Sequence, residues 1–429
     1  MSEQSALGLR QMSRLRVLET LYRHPASSRA DLARRTGLSR ATISALVEEL
    51  LQAGVVAEGE EGGAHVGRAE GAVPPAGSAQ VALGTRGEGG VAPSATAQEG
   101  RGAGRPPALL SLVAGAAFAV GLDFGHQHIR VAVCDLSGRS VADDWSAAEV
   151  DHAPLESLDL AAELVHSALG GARIAADRIL GVGMGLAAPV DKLSGGLRAE
   201  GILPGWRGID PAAEMRSRLG LDVQLENDAN VGALGEKAFG AARDVDDLAY
   251  IRLSAGVGAG LILGGRPYHG FGGVAGEIGH VLCDPSGPIC RCGNRGCLEA
   301  IASPVAVAAL LARSSGRQLS VAGLLELVAA DDRGARRAVS KAGEAVGRAV
   351  SMLVNILNPE LVVVGGDLAQ AGEVLLEPIA MAIERHSVAP AAASVSVRAG
   401  LLGERAEVLG AAALVLARSP HALMARLER

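Results

Sequence analysis

GEIGHVLCDPSGPICRCGNRGCLE, residues 276–299, concentrates more chemistry than any other segment of the chain. Cys290, Cys292 and Cys297 read C-x-C-x4-C, and His280 stands ten residues ahead of the first of them. Thiolates plus an imidazole are the donors with which zinc builds a closed tetrahedron. Four of the chain's five cysteines fall within fifteen residues, a clustering that ordinary buried thiols do not require. Gly293 and Gly296 permit the tight turn between Cys292 and Cys297. His280 is the first choice for the fourth ligand, and Cys283, three residues on, is the alternative.

G-E-I-G-H followed by C-x-C-G-x-x-G-C-L-E resembles the signature of the ROK family (repressors, open reading frames and sugar kinases). The resemblance runs from about Phe118 to the C terminus. It implies a body at 116–429 with a two-lobed, actin-like ATPase (ribonuclease H-like) sugar-kinase fold of the α/β class. It implies a structural Zn2+ on His280, Cys290, Cys292 and Cys297, fixing a loop at 276–299 with no open position for chemistry. It also implies that Glu277, His280 and Glu299 reach the hydroxyls of a bound sugar.

Working outward, residues 117–139 (AFAVGLDFGHQHIRVAVCDLSGR) read as two apolar strands about a glycine turn. They resemble the first phosphate loop of the family kinases, D-x-G-G-T-K. Asp123 and Gly125 remain, but His126, Gln127 and His128 replace the second Gly, the Thr and the Lys. A phosphate loop needs a close backbone and a hydroxyl donor, which two imidazoles flanking Gln127 supply poorly. Residues 179–189 read as the next core strand, with Ala187, Ala188 and Pro189 where the family often has P-G-P, and Leu203 to Trp206 resemble its sugar-side segment. Residues 223–230 (VQLENDAN) resemble the strand and turn that carry its catalytic aspartate. By that match Asn227 is a sugar contact. Asp228 would be a sugar contact too, and the catalytic base if this were a kinase; an Asx turn capping the next helix is the structural alternative.

Residues 249–263 (AYIRLSAGVGAGLIL) resemble the second phosphate loop, with Gly256 and Gly258 in place and Ala255 where the kinases have Thr. A Gly-rich turn without that hydroxyl is weak evidence for nucleotide. Leu361 to Asp367 read as a buried strand ending in Gly365 and Gly366, which in family kinases would lie against adenosine. Asp123, Gly125, Gly256, Gly258, Gly365 and Gly366 are therefore expected to outline a vestigial nucleotide site. Helices are expected at about 333–357 and at 406–417, the latter packing back on the first lobe.

The N-terminal residues 10–58 read differently. A helix over Met12–Tyr22 ends at His24-Pro25. Ser28 can cap a helix over Arg29–Arg35, Gly37 supplies a turn, and Ser39 can cap a helix over Arg40–Gln52. Ile43, Leu46, Val47 and Leu50 form its apolar face, while Ala41, Thr42, Ser44 and Ala45 leave the other side small beside Arg40. Helix, turn and small-faced helix make a helix-turn-helix, with Arg40, Thr42 and Ser44 as DNA contacts. Strands near 54–58 and 108–113 would form a wing, with 106–115 as its end and linker. Residues 59–105, poor in large apolar side chains, are expected to be a disordered insert at the wing tip, with Arg105 entering a minor groove.

The charge distribution fits this division. Residues 10–58 carry eight arginines against five acids, a net +3, so the rest of the chain carries −10 of the overall −7. A basic module on an acidic body places a polyanion at the module alone. No apolar run approaches the roughly 18 residues a membrane span needs, and no signal peptide opens the chain. Clustered cysteines without a secretion signal fit the cytoplasm. These readings add up to a sugar-responsive DNA-binding regulator, with operator DNA and a sugar or sugar-phosphate effector as partners and a homodimer or homotetramer as the assembly. An ATP-dependent sugar kinase is the alternative.

Overall fold

The computed structural model describes residues 3–59, 108–191, 195–197, 202–316 and 318–427. The insert expected at 59–105 lies outside them, save Gly59, and so does Arg105.

The N-terminal module comprises α1 (Glu3–Arg23), β1 (Ser27–Ser28), α2 (Arg29–Thr36), α3 (Arg40–Gln52), β2 (Val56–Gly59) and β3 (Leu109–Leu112). Helix α1 starts nine residues before the expected Met12; the sequence of its first turns, EQSALGLRQ, has too few large apolar residues to announce an apolar stripe. Ser28 and Asp31 form a reciprocal capping box on α2, and the Ser39 hydroxyl accepts from the Thr42 amide at 3.1 Å. Gly37 turns the chain at φ 72°. Leu32, Ile43, Leu46, Val47 and Leu50 pack with Val17, Leu18 and Leu21 of α1. Strand β3 lies between β1 and β2, pairing Leu110 with Ser27 and Leu112 with Val56 in antiparallel register. These are the strands of a wing.

The body holds two sheets of the same connectivity. The first lobe contains β4 (Phe118–Phe124), β5 (His128–Asp135), β6 (Ser140–Ala147), α4 (Pro154–Gly171), β7 (Ile179–Leu186), α5 (Pro211–Leu219), β8 (Val223–Asn227) and α6 (Asp228–Phe239). Its order is β6-β5-β4-β7-β8, antiparallel on the first side of β4 and parallel on the other. The second lobe contains β9 (Leu248–Leu253), β10 (Val257–Leu263), β11 (Arg266–Pro267), α7 (Leu298–Ala302), α8 (Pro304–Ser315), α9 (Val321–Ala329), α10 (Arg333–Leu357), β12 (Leu361–Gly365), α11 (Glu373–His386), α12 (Ala389–Ser394) and β13 (Ser396–Ala399). Its order, β11-β10-β9-β12-β13, repeats the pattern.

Helix α13 (Ala406–Leu416) then returns to the first lobe and packs on β4, β7 and α6, and α14 (Ser419–Leu427) lies against α1. Glycines make that return possible. A Cβ on Gly183 would stand 1.9 Å from the Ala411 carbonyl oxygen, and one on Gly121 2.0 Å from that of Val408. Gly183→Ala is therefore expected to cost about 3 kcal/mol by forcing helix and sheet apart, measurable by urea unfolding.

The connector expected at 106–115 is, over its described part, built into the fold. The Val113 amide donates to the Val55 carbonyl at 2.9 Å, a 3-10 turn spans Ala114–Ala116, and β4 begins at Phe118. One apolar core runs from Leu18 and Leu50 through Leu110, Ala119 and Cys134 to Val408, Leu416, Leu423 and Met424. The module is thus packed onto the first lobe and its C-terminal helices. Among the described residues no single helix is long and apolar enough to cross a membrane.

Candidate functional site

Four ligand atoms gather in the loop before α7. His280, Cys290, Cys292 and Cys297 offer donors that all lie within 4.8 Å of one another. Cys292 and Cys297 sulfurs are 3.7 Å apart, and the Cys290 sulfur is 3.6 Å from His280 Nδ1. A tetrahedral ion with metal–sulfur bonds of about 2.3 Å and a metal–nitrogen bond of about 2.0 Å has edges of about 3.8 Å and about 3.5 Å. The side chains are therefore already spaced for a metal ion. Backbone bonds hold them there: the Cys290 amide to Asn294 at 2.7 Å, Cys283 to Gly296 at 2.8 Å and Leu298 to Val281 at 3.0 Å. The alternative ligand Cys283 is outside the cluster; it packs on the second lobe's apolar core. His280 turns Nδ1 to the cysteines and Nε2 toward Glu277, 3.7 Å away, so its two nitrogens have separate duties.

A cavity of about 50 Å³ between the lobes is lined by all five expected sugar contacts, Asn227, Asp228, Glu277, His280 and Glu299. Strand β8 ends at its rim, and Asn227 caps α6 by accepting from the amides of Ala229 and Asn230. Asp228, the first residue of α6, accepts from the Ala229 amide at 2.8 Å through one oxygen. Its other oxygen meets the Arg252 guanidinium at 2.9 Å. Glu299 accepts two bonds from Arg291, at 2.8 and 2.9 Å, and one from the Val257 amide at 3.1 Å. Burial, then the carboxylates of Asp228 and Glu299, pushes Glu277 up to about 7. Of the 203–206 segment, Leu203 and Trp206 turn into the first lobe's core, and the Trp206 indole donates to the Val150 carbonyl at 2.7 Å. Its neighbour Ile202 lines the cavity instead.

A larger cavity of about 530 Å³ adjoins at His126, Arg252 and Arg291. Asp123, Gln127, Ala255 and Gly366 line it. His128 donates or accepts at 3.1 Å with Asp123, and its ring lies over Gly125, where a Cβ would be 2.3 Å from Cε1. His126 pairs with Asp151 at 2.7 Å. Imidazoles thus occupy the turn where a phosphate would need bare backbone. Gly256 and Gly258 face the smaller cavity, not this one. Gly365 packs against the Tyr250 hydroxyl, and the Asp367 amide donates to Ser254 at 3.2 Å.

Three important residues were not singled out by the sequence reading: Arg252, Arg291 and Glu407. Arg252 bonds Asp228 on one side and Glu407 on the other at 3.0 Å, and the Tyr250 hydroxyl donates to Glu407 at 3.1 Å. An arginine inside the apolar run AYIRL was the available signal, since a buried guanidinium demands buried carboxylates. Burial, with Asp123 and Asp228 behind it, pushes Glu407 up to about 7 against the pull of Arg252. A carboxyl whose folded pKa is raised gives its full stability below the unfolded value and loses it as pH rises through the folded one. Stability is therefore expected to fall between about pH 4.5 and 7, and Glu407→Gln to flatten that part of the urea-unfolding profile.

The candidate DNA surface is the exposed face of α3. Arg40, Ala41, Ser44 and Ala45 are exposed, while Thr42 is half-buried with its hydroxyl 2.8 Å from that of Ser39. Three of the module's acids pair with four of its eight arginines: Arg10 and Arg14 share Glu49, Arg29 meets Glu58 and Arg34 meets Asp31. Arg16, Arg23, Arg35 and Arg40 have no ion-pair partner among the described residues.

Residues 119–418 match the ROK family, and residues 7–65 match the MarR family. The chain is 27% identical over 392 residues to the xylose repressor of Caldicellulosiruptor bescii, covering 88% of this chain and 89% of that protein. The crystal structure of a ROK family transcriptional regulator, a homolog of the E. coli MLC protein, superposes with a TM-score of 0.76 at 23% identity, over 98% of this chain and all of the other. The ROK hexokinase from Thermus thermophilus is 32% identical with a TM-score of 0.57, covering 69% of this chain and 97% of that one. With one family model spanning both lobes, the loop at 276–299 included, the chain belongs to the ROK family.

Proposed function

We propose that this protein is a sugar-responsive, DNA-binding transcriptional repressor of carbohydrate-metabolism genes, acting in the cytoplasm as a homodimer or homotetramer. The observation that carries the reading is the winged helix-turn-helix packed into one core with the sugar-kinase-like body. The likeness to a xylose repressor runs through both parts, while that to a hexokinase covers 69% of the chain. In this reading zinc occupies His280, Cys290, Cys292 and Cys297 and fixes the loop that carries Glu277 and Glu299. Sugar bound against Asn227, Asp228, Glu277, His280 and Glu299 selects one arrangement of the lobes. Only one arrangement spaces two recognition helices to fit an operator.

The kinase reading rests on Asp228, which stands at the strand end where a base is needed. Two features weigh against it. The Arg252 guanidinium holds that carboxylate at 2.9 Å, and His128 lies on Gly125 where phosphate would approach. An oxygen already bonded to arginine is not free to meet the hydroxyl proton that a base would take.

Arg40→Ala is expected to weaken operator binding by about 1–3 kcal/mol, with sugar affinity unchanged. Fluorescence anisotropy with labelled operator DNA and calorimetry with the sugar measure the two separately. Equal operator affinity would remove Arg40 from the interface and count against α3 as the reading helix.

A further inference from the structure

We infer that Arg252 and Glu407 form the link through which the sugar pocket is read by the DNA-binding module, with Arg252 acting as an internal stand-in for the sugar on Asp228. The inference rests on the repressor reading above. It begins with position. Arg252 belongs to β9, the central strand of the second lobe's sheet. Its guanidinium leaves that lobe and ends between Asp228 at the start of α6 and Glu407 at the start of α13. All three side chains are buried, 9%, 11% and 6% exposed respectively. The pair therefore joins the lobes where water does not compete.

Asp228 has one oxygen committed to the Ala229 amide, so Arg252 holds the oxygen left for a ligand. The cavity there measures only about 50 Å³, whereas ligand pockets typically run to about 300–1,000 Å³. Arg252 lines that cavity and the larger one beside it. A sugar hydroxyl bonding Asp228 must share or displace the guanidinium. Arg252 then shifts toward Glu407 and the larger cavity, because a buried guanidinium stays with a carboxylate.

Glu407 carries the change onward. It is the second residue of α13, whose Val408, Leu409, Ala412, Val415 and Leu416 lie in the core shared with the N-terminal module. The same core includes Leu423 and Met424 of α14, the helix that lies on α1. Close backbone contact at Gly121 and Gly183 leaves α13 little room to absorb a displacement locally. Helix α13 thus touches both the buried charges and the DNA module, which is the physical connection that coupling between sites requires.

The test uses full-length protein with bound metal. Three quantities are measured for wild type, Glu407→Gln and Tyr250→Phe: sugar affinity by calorimetry, operator affinity by anisotropy, and the change in operator affinity at saturating sugar. Wild type is expected to lose about tenfold or more in operator affinity with sugar. Glu407→Gln should still bind sugar and operator but lose most of that response. Tyr250→Phe, which removes one hydroxyl bonded to Glu407 and leaves the packing intact, should lose a smaller part in the same direction. A purely structural role for Glu407 would lower the melting temperature and leave the sugar response at its wild-type value. A full response in both variants overturns the inference. Absence of any sugar-dependent change in wild type overturns the repressor reading instead, so the two failures are distinguishable. If Glu407→Gln does not fold, Tyr250→Phe alone decides.

Discussion

Arg252→Met is expected to destabilise the protein by about 3–5 kcal/mol, the range for removing one partner from a buried ion pair. The substitution keeps much of the side chain's volume and deletes its charge. Asp228 and Glu407, bonded at 2.9 and 3.0 Å in the intact protein, are left facing each other without the cation. Asp123 adds a third buried carboxylate nearby. Arg252→Met combined with Glu407→Gln should recover part of the loss, because one of the stranded charges is gone. Equilibrium urea unfolding of wild type, both singles and the double measures this. A loss below about 1 kcal/mol would mean that the charges behave as a solvent-exposed pair, against the burial seen here.

Cys290→Ser is expected to abolish stoichiometric zinc and, with it, the sugar response. Three ligands remain, but structural sites need four, and their apparent binding free energies of about 10–16 kcal/mol rest on the full set. Cys290 is buried beside both His280 and Glu299. In the proposed account, losing the ion frees the loop that holds Glu277 and Glu299 against the smaller cavity. Operator binding should survive, since the module's core contains none of the four ligands. Elemental analysis reports the metal, calorimetry the sugar and anisotropy the operator. Wild-type sugar affinity in a zinc-free variant would contradict the role given to the loop.

How far the sequence could be read depended on whether the signal was local. Helix α3 was legible to the residue, because Ser39 caps it and Ile43, Leu46, Val47 and Leu50 keep helical spacing. The cluster of His280, Cys290, Cys292 and Cys297 was legible because its residues fall in one short segment; the sequence preferred His280 to Cys283, and the fold leaves Cys283 outside the cluster. The doubled sheet order and the shared core were not legible, since they depend on packing that gathers residues as far apart as Leu110 and Val408 into one core. Arg252 and Glu407, 155 residues apart, show the same limit inside the site. Each alone looks like a misplaced charge, and only together do they explain one another. Gly256 and Gly258 were grouped with nucleotide on motif alone; in the fold they line the smaller cavity, beside Asn227 and Glu277.

The most direct measurement titrates the metal-loaded protein, bound to labelled operator DNA, with a panel of sugars and sugar phosphates. The same mixtures are then assayed for phosphate transfer from ATP. The account predicts that one effector releases the operator and emerges unphosphorylated. A sugar that is phosphorylated, with turnover lost in Asp228→Asn and no effect on operator binding, would contradict it and make the protein a kinase.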